Sequence, residues 1–133
     1  MEWGSYTLDV ATVYAPARPL ARVDFISGLR NRITEDTIIG GDWNTVTDKT
    51  LDVKSRDPLG YDDRGGRLLS EIMIEKQLVD ERREQLGNDA EYTRIGTVTG
   101  GHITSTRIDR WYVPEKLDYL WTFETTNDYI FKK

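Results

Sequence analysis

The chain has 133 residues, with 18 Lys and Arg against 23 Asp and Glu for a formal charge of −5, and it contains no cysteine. Its 38% hydrophobic and 11% aromatic content supplies a core for one domain and argues against disorder. Disulfides and thiolate metal sites are excluded, and an acidic chain with no basic stripe is a poor non-specific nucleic-acid binder.

Ser5 to Ala15 reads as a strand, with Tyr6, Leu8, Val10, Thr12 and Tyr14 on one face. Val10 to Val13 is apolar enough on both faces to predict a covered strand. Pro16 and Pro19 end it, and Pro19 suits the first turn of a helix. Val23, Ile26, Leu29, Arg30 and Ile33 recur at helical spacing, which predicts an amphipathic helix over 19–34. Thr37 to Gly41 is a short β-branched run that predicts a buried strand. Asp42 to Asp63 is polar and turn-rich and reads as a long surface loop.

Leu68, Leu69, Ile72 and Met73 form the stripe of a second helix, with Asp62 or Asp63 near its start and Leu78-Val79 closing the segment. Glu91 to Ile95 and Ile103 to Val113 read as strands joined through Gly100-Gly101, and a last strand runs from Leu117 to Glu124. The fold class is mixed α/β (α+β), as one domain over 1–133 with no repeat or linker. No apolar stretch approaches the ~18 residues of a membrane span. Met1-Glu2-Trp3-Gly4 lacks the basic and apolar regions of a secretory signal. A membrane partner is not expected, and the expected location is intracellular, nuclear or cytoplasmic.

Four places can carry chemistry. Asp42 and Asn44 follow the strand at Gly40-Gly41, where a carboxylate can orient a water and an amide can donate to a phosphate oxygen. The glycines suit close backbone approach. Gly, Asp and Asn are also ordinary turn formers, so this pattern alone leaves both readings open. In Ser105 to Val113, alternation puts Arg107, Asp109, Trp111 and Val113 on one face, as an ion pair at a site edge or as a charge-blunted edge strand. Tyr14 ends a strand, as a rim group of a site or as a core tyrosine. Asp80 to Arg83, with Tyr92-Thr93 downstream, is either part of a site or a solvated charge run. His102 is the only histidine and sits in a turn, so Ser-His catalysis and a histidine-rich zinc site have little support.

Val13-Tyr14-Ala15-Pro16, Gly41-Asp42-Trp43-Asn44, Leu78-Val79-Asp80 with Arg83, Tyr92-Thr93 and Thr106-Arg107-Ile108-Asp109, in that order, resemble the endonuclease/exonuclease/phosphatase superfamily. The nearest flavour is the apurinic-like endonuclease domain of LINE-type retrotransposons. The resemblance covers about residues 5 to 113 and implies part of a four-layered, deoxyribonuclease I-like α/β sandwich that lacks the family's N-terminal strands. It implies Mg²⁺-dependent hydrolysis of a phosphodiester, with DNA or another phosphodiester as substrate and other retroelement protein domains as partners. Asp42 would position or activate the attacking water; Asn44 and Tyr14 would hold the scissile phosphate, with Arg107 also facing substrate. Asp109 would orient a histidine near the family's C-terminus.

This chain departs from that pattern. The family's N-terminal Asn motif and metal-ligating Glu have no counterpart. Its closing Ser-Asp-His aligns with Asn127-Asp128-Tyr129, which leaves Asp128 as the candidate metal ligand and no catalytic histidine. A family tryptophan is replaced by Arg82. The resemblance therefore implies activity weakened or lost in a truncated domain, or a non-catalytic phosphate-binding remnant.

Overall fold

The computed structural model describes residues 7–97 and 101–117. The first strand, β1 (Asp9–Tyr14), is followed by α1 (Pro19–Leu29), which starts on its proline and buries Arg22, Ile26 and Leu29. The predicted helix ends early, at Leu29. The Leu29 carbonyl accepts from the amides of Arg32 and Ile33, and Thr34 and Thr37 bond to each other in a turn that diverts the backbone into β2 (Thr37–Asp42). Ile33 is still buried, but from the turn.

Beyond β2 the chain is not the predicted surface loop. Trp43, Thr45 and Val46 are fully buried. Asp48 then caps α2 (Lys49–Asp52), accepting from the amides of Thr50 and Leu51 at 2.9 and 3.2 Å. β3 (Val53–Lys54) and a 3-10 turn (Pro58–Gly60) follow. These elements are two to four residues long, too short to leave a periodicity.

The next helix, α3 (Gly66–Glu75), buries Leu69, Ile72 and Met73 as predicted, yet its N-cap is Gly65 in the left-handed region rather than an aspartate. β4 (Leu78–Asp80) leads into α4 (Glu81–Leu86), and β5 (Arg94–Thr97) and β6 (Ile103–Thr106) form an antiparallel hairpin. β7 (Asp109–Pro114) completes the described set. The predicted single strand over Ile103–Val113 is thus two strands in two sheets, broken where Arg107 turns inward. The predicted strand from Leu117 lies almost entirely outside the described residues; Leu117 itself is buried and helical.

The class is α+β. One sheet has the order β1-β2-β7-β4 and the other β3-β6-β5. β1 and β2 are parallel, whereas β7 runs antiparallel to β2 and β4. Ile39 and Tyr112 on one face of the larger sheet pack with Ile26, Leu69 and Ile72 of the two long helices and with Trp43. The indole of Trp43 meets the Tyr112 ring edge-on at 5.6 Å and donates to the Arg110 carbonyl.

The opposite face holds the second correction. β1 was expected to be covered, but Val10 is 67% exposed and Trp111 42% exposed. β1 lies at the sheet edge, its other side unpaired among the described residues, and its sequence DVATVY has neither Pro nor Lys to blunt that edge. The purified chain is therefore expected to self-associate as its concentration rises. A monomeric elution profile across that range, with a cooperative thermal transition, would count against this.

Gly41 is needed where it stands. Its φ is +139°, and a Cβ there would strike the Val13 carbonyl of β1. Gly41→Val is expected to part β1 from β2 and cost about 3 kcal/mol or more from strain and clash combined, measurable by urea denaturation. At Gly40 a Cβ would run into the Trp111 ring, so the indole lies flat across that glycine.

Candidate functional site

The sheet register brings three of the sequence-predicted residues into one row. Tyr14 pairs with Asp42 across β1 and β2, and Asp42 pairs with Asp109 across β2 and β7. Cross-strand partners share a face, so all three side chains stand on the open side at the edge where the parallel strands end. Brackets on either side fix the backbone: the Ala15 amide donates to the Asp42 carbonyl and the Trp43 amide to the Ile108 carbonyl, both at 2.8 Å. The second bond makes Asp42 and Asp109 the non-hydrogen-bonded kind of pair, the closer of the two spacings, with Cα atoms about 4.5 Å apart.

Two carboxylates at that spacing repel each other. Neither has an ion-pair partner among the described residues, and the Asp42 carboxylate accepts from the Asn44 amide at 2.8 Å. Among the described residues, the register therefore sets two carboxylates side by side on an open edge with no cation paired to either. Tyr14 beside them is 76% exposed, a rim group rather than a core tyrosine.

Asn44 is in the left-handed conformation (φ 52°), and its side-chain amide donates to the Ala15 carbonyl at 2.6 Å. One amide hydrogen is thus spent on bracing the chain after Tyr14, and one remains for a ligand. Apart from the resemblance, Thr93 entered the sequence reading only as a residue downstream of Asp80 to Arg83. Its hydroxyl oxygen accepts from the amides of Ile108 and Asp109 at 3.0 and 3.1 Å, which fixes the start of β7.

Arg107 differs from what was expected. It does not share a face with Asp109; its side chain is 1% exposed and gripped by two carboxylates, with Nε to Asp52 at 2.9 Å and Nη2 to Asp80 at 2.6 Å. Arg83 reaches the same Asp52 at 2.5 Å, and Arg110 is buried against the Thr45 and Arg107 carbonyls and the Tyr112 hydroxyl. Burial works against the Arg107 charge, but Asp80 and Asp52 outweigh it and hold its pKa above the usual guanidinium value. Asp80 and Arg83 are thus parts of a buried ionic chain, not a solvated run. Asp52 escaped the sequence reading because it lay in the stretch taken for surface loop. Its one signal was Asp48, a capping residue four positions upstream.

Among the described residues no cluster of three or more His, Asp or Glu could hold a metal. Asp42 and Asp109 offer two carboxylates. Asp128 lies outside the described residues. His102 immediately precedes β6, which lies in the other sheet from the strand that carries Asp109. No described helix is long and apolar enough to cross a membrane.

Among known proteins, the chain is 33% identical over 116 residues to an uncharacterized 149 kDa protein of transposon TX1 from Xenopus laevis. The chain resembles a transposon protein. The match takes in 84% of this chain but 8% of that relative, so the chain spans less than a tenth of the relative's length. No family model matches.

Proposed function

We propose that the row Tyr14–Asp42–Asp109, with Asn44, is the phosphodiester-hydrolysing edge of a deoxyribonuclease I-like endonuclease domain of retroelement origin. The observation that carries this reading is the Asp42–Asp109 register, a like-charge juxtaposition with no paired cation among the described residues, which suits a bound cation. The residues present fit Mg²⁺, which takes one or two carboxylates and fills its remaining positions with water and substrate phosphate. Bound there, Mg²⁺ would offset charge developing on the phosphate.

Asp42, with its backbone held on both sides, accepts a hydrogen bond from the attacking water and directs it at phosphorus. Asn44 gives its second amide hydrogen, and Tyr14 its hydroxyl, to the non-bridging phosphate oxygens. Asp109 would help Asp42 to hold the cation. Similarity to a transposon protein supports the retroelement origin, and DNA is then the substrate class. Incubation with supercoiled and abasic-site DNA is expected to give nicking that needs Mg²⁺ and is stopped by chelation. Duplex binding with no nicking under any condition would leave a non-catalytic phosphate-binding remnant. The one histidine of the sequence borders the other sheet, and a row without an imidazole favours turnover weakened on the order of 10² to 10⁴ in rate.

A further inference from the structure

Arg18 and Arg64 line, with Pro19, Leu20 and Ala21, an open cavity of about 510 Å³ at the start of α1. This cavity is assembled by a buried residue. Arg22, 3% exposed, spends its guanidinium on backbone carbonyls: Nε on Arg64 at 2.8 Å, Nη1 on Ala17 at 3.0 Å and Nη2 on Asp62 at 3.4 Å. It thereby pins the segment before α3 against the connection that leaves β1, and so sets Arg64 beside Arg18. The charges do not cancel. Among the described residues, Asp62, which Arg64 holds at a pKa of about 2, is the one carboxylate bonded into this group of three guanidiniums. No acidic residue sits in the first turn of α1, and Arg18 has no ion-pair partner among the described residues. In a chain of net charge −5, this is a local excess of positive charge. It also lies on the connection that follows Tyr14, with Ala15 tied to Asn44, so it adjoins the carboxylate row.

We infer that this cavity binds a backbone phosphate of a nucleic-acid strand, at a nucleotide flanking the one presented to Asp42 and Asp109. A strand whose scissile phosphate lies at two carboxylates needs an attractive contact nearby, because that edge alone repels polyanions. Arg18 supplies a free fork for phosphate oxygens, and Arg64 shares its charge between Asp62 and the cavity. This placement rests on the phosphodiester reading of the carboxylate row.

The test is anisotropy of a labelled DNA duplex with the full chain across a salt series. Each lost phosphate contact is expected to reduce the slope of log affinity against log salt by about 0.9. Arg18→Ala is expected to show that reduction, Arg18→Lys to keep the wild-type slope, and Arg32→Ala, at the other end of α1, to leave it unchanged. An unaltered slope in Arg18→Ala, or a wild-type chain that binds no duplex, overturns the cavity's role. Displacement of the duplex by inorganic phosphate at comparable concentration overturns it too, because the site would then suit a small anion. A parallel nicking assay judges the carboxylate row separately: Arg18-dependent binding without nicking keeps the phosphate contact and retires the catalytic reading.

Discussion

Replacing Arg107 by methionine is expected to cost about 3 to 5 kcal/mol, a large part of the 5 to 15 kcal/mol that usually holds a domain folded. The side chain is one of the largest fully buried groups in the protein and joins Asp52, beside the smaller sheet, to Asp80 of the larger one. Without it, Asp52 retains Arg83, while Asp80 is left with Arg110 at 4.0 Å. The cost comes from the stranded carboxylates more than from the lost attraction. A double variant, Arg107→Met with Asp80→Asn, which removes the stranded charge and can still accept from the Arg83 amide, should therefore recover much of the loss. Urea denaturation followed by circular dichroism measures both. A change below about 1 kcal/mol in Arg107→Met would mean that the guanidinium is not a structural tie, and would return it to the candidates for substrate contact.

Asp42→Asn is expected to move stability and activity in opposite directions. The asparagine oxygen can still accept from the Asn44 amide, so the turn survives. Removing one of two adjacent negative charges relieves the repulsion with Asp109 and should stabilise the fold by up to about 1 kcal/mol. Any Mg²⁺-dependent nicking should fall on the order of 10²- to 10⁴-fold, because the group that orients the water has lost its charge. Higher stability with lower activity is the signature of a strained functional pair. A variant that is both less stable and equally active would mark Asp42 as a strand-end turn former and nothing more.

The helices and central strands were legible because their burial leaves a period. Leu69, Ile72 and Met73 repeat at helical spacing, and Thr37 to Gly41 is an unbroken run at the sheet's centre. The row of Tyr14, Asp42 and Asp109 was legible only as separate motifs; their alignment is a property of register, which no local pattern records. Arg107 was misplaced for a related reason. Alternation was extended through residues 107 and 108, where the chain leaves one sheet for the other and the period breaks. Asp52 gave the weakest signal, since a four-residue helix and a two-residue strand have no repeat from which its burial could be read. β1 was misjudged because its apolar composition reports what a strand prefers to touch, not whether a neighbour is there.

The register also sets the order in which the edge can come into being. Asp42 meets Tyr14 across a chain separation less than half of the one to Asp109. Closing the longer loop costs more entropy, by about 0.6 kcal/mol for each doubling. As the chain emerges during synthesis, β1, α1 and β2 can pair while β7 has yet to appear. Asp42 then has Tyr14 beside it and no second carboxylate. The charge conflict in the finished row can arise only once β7 lies beside β2.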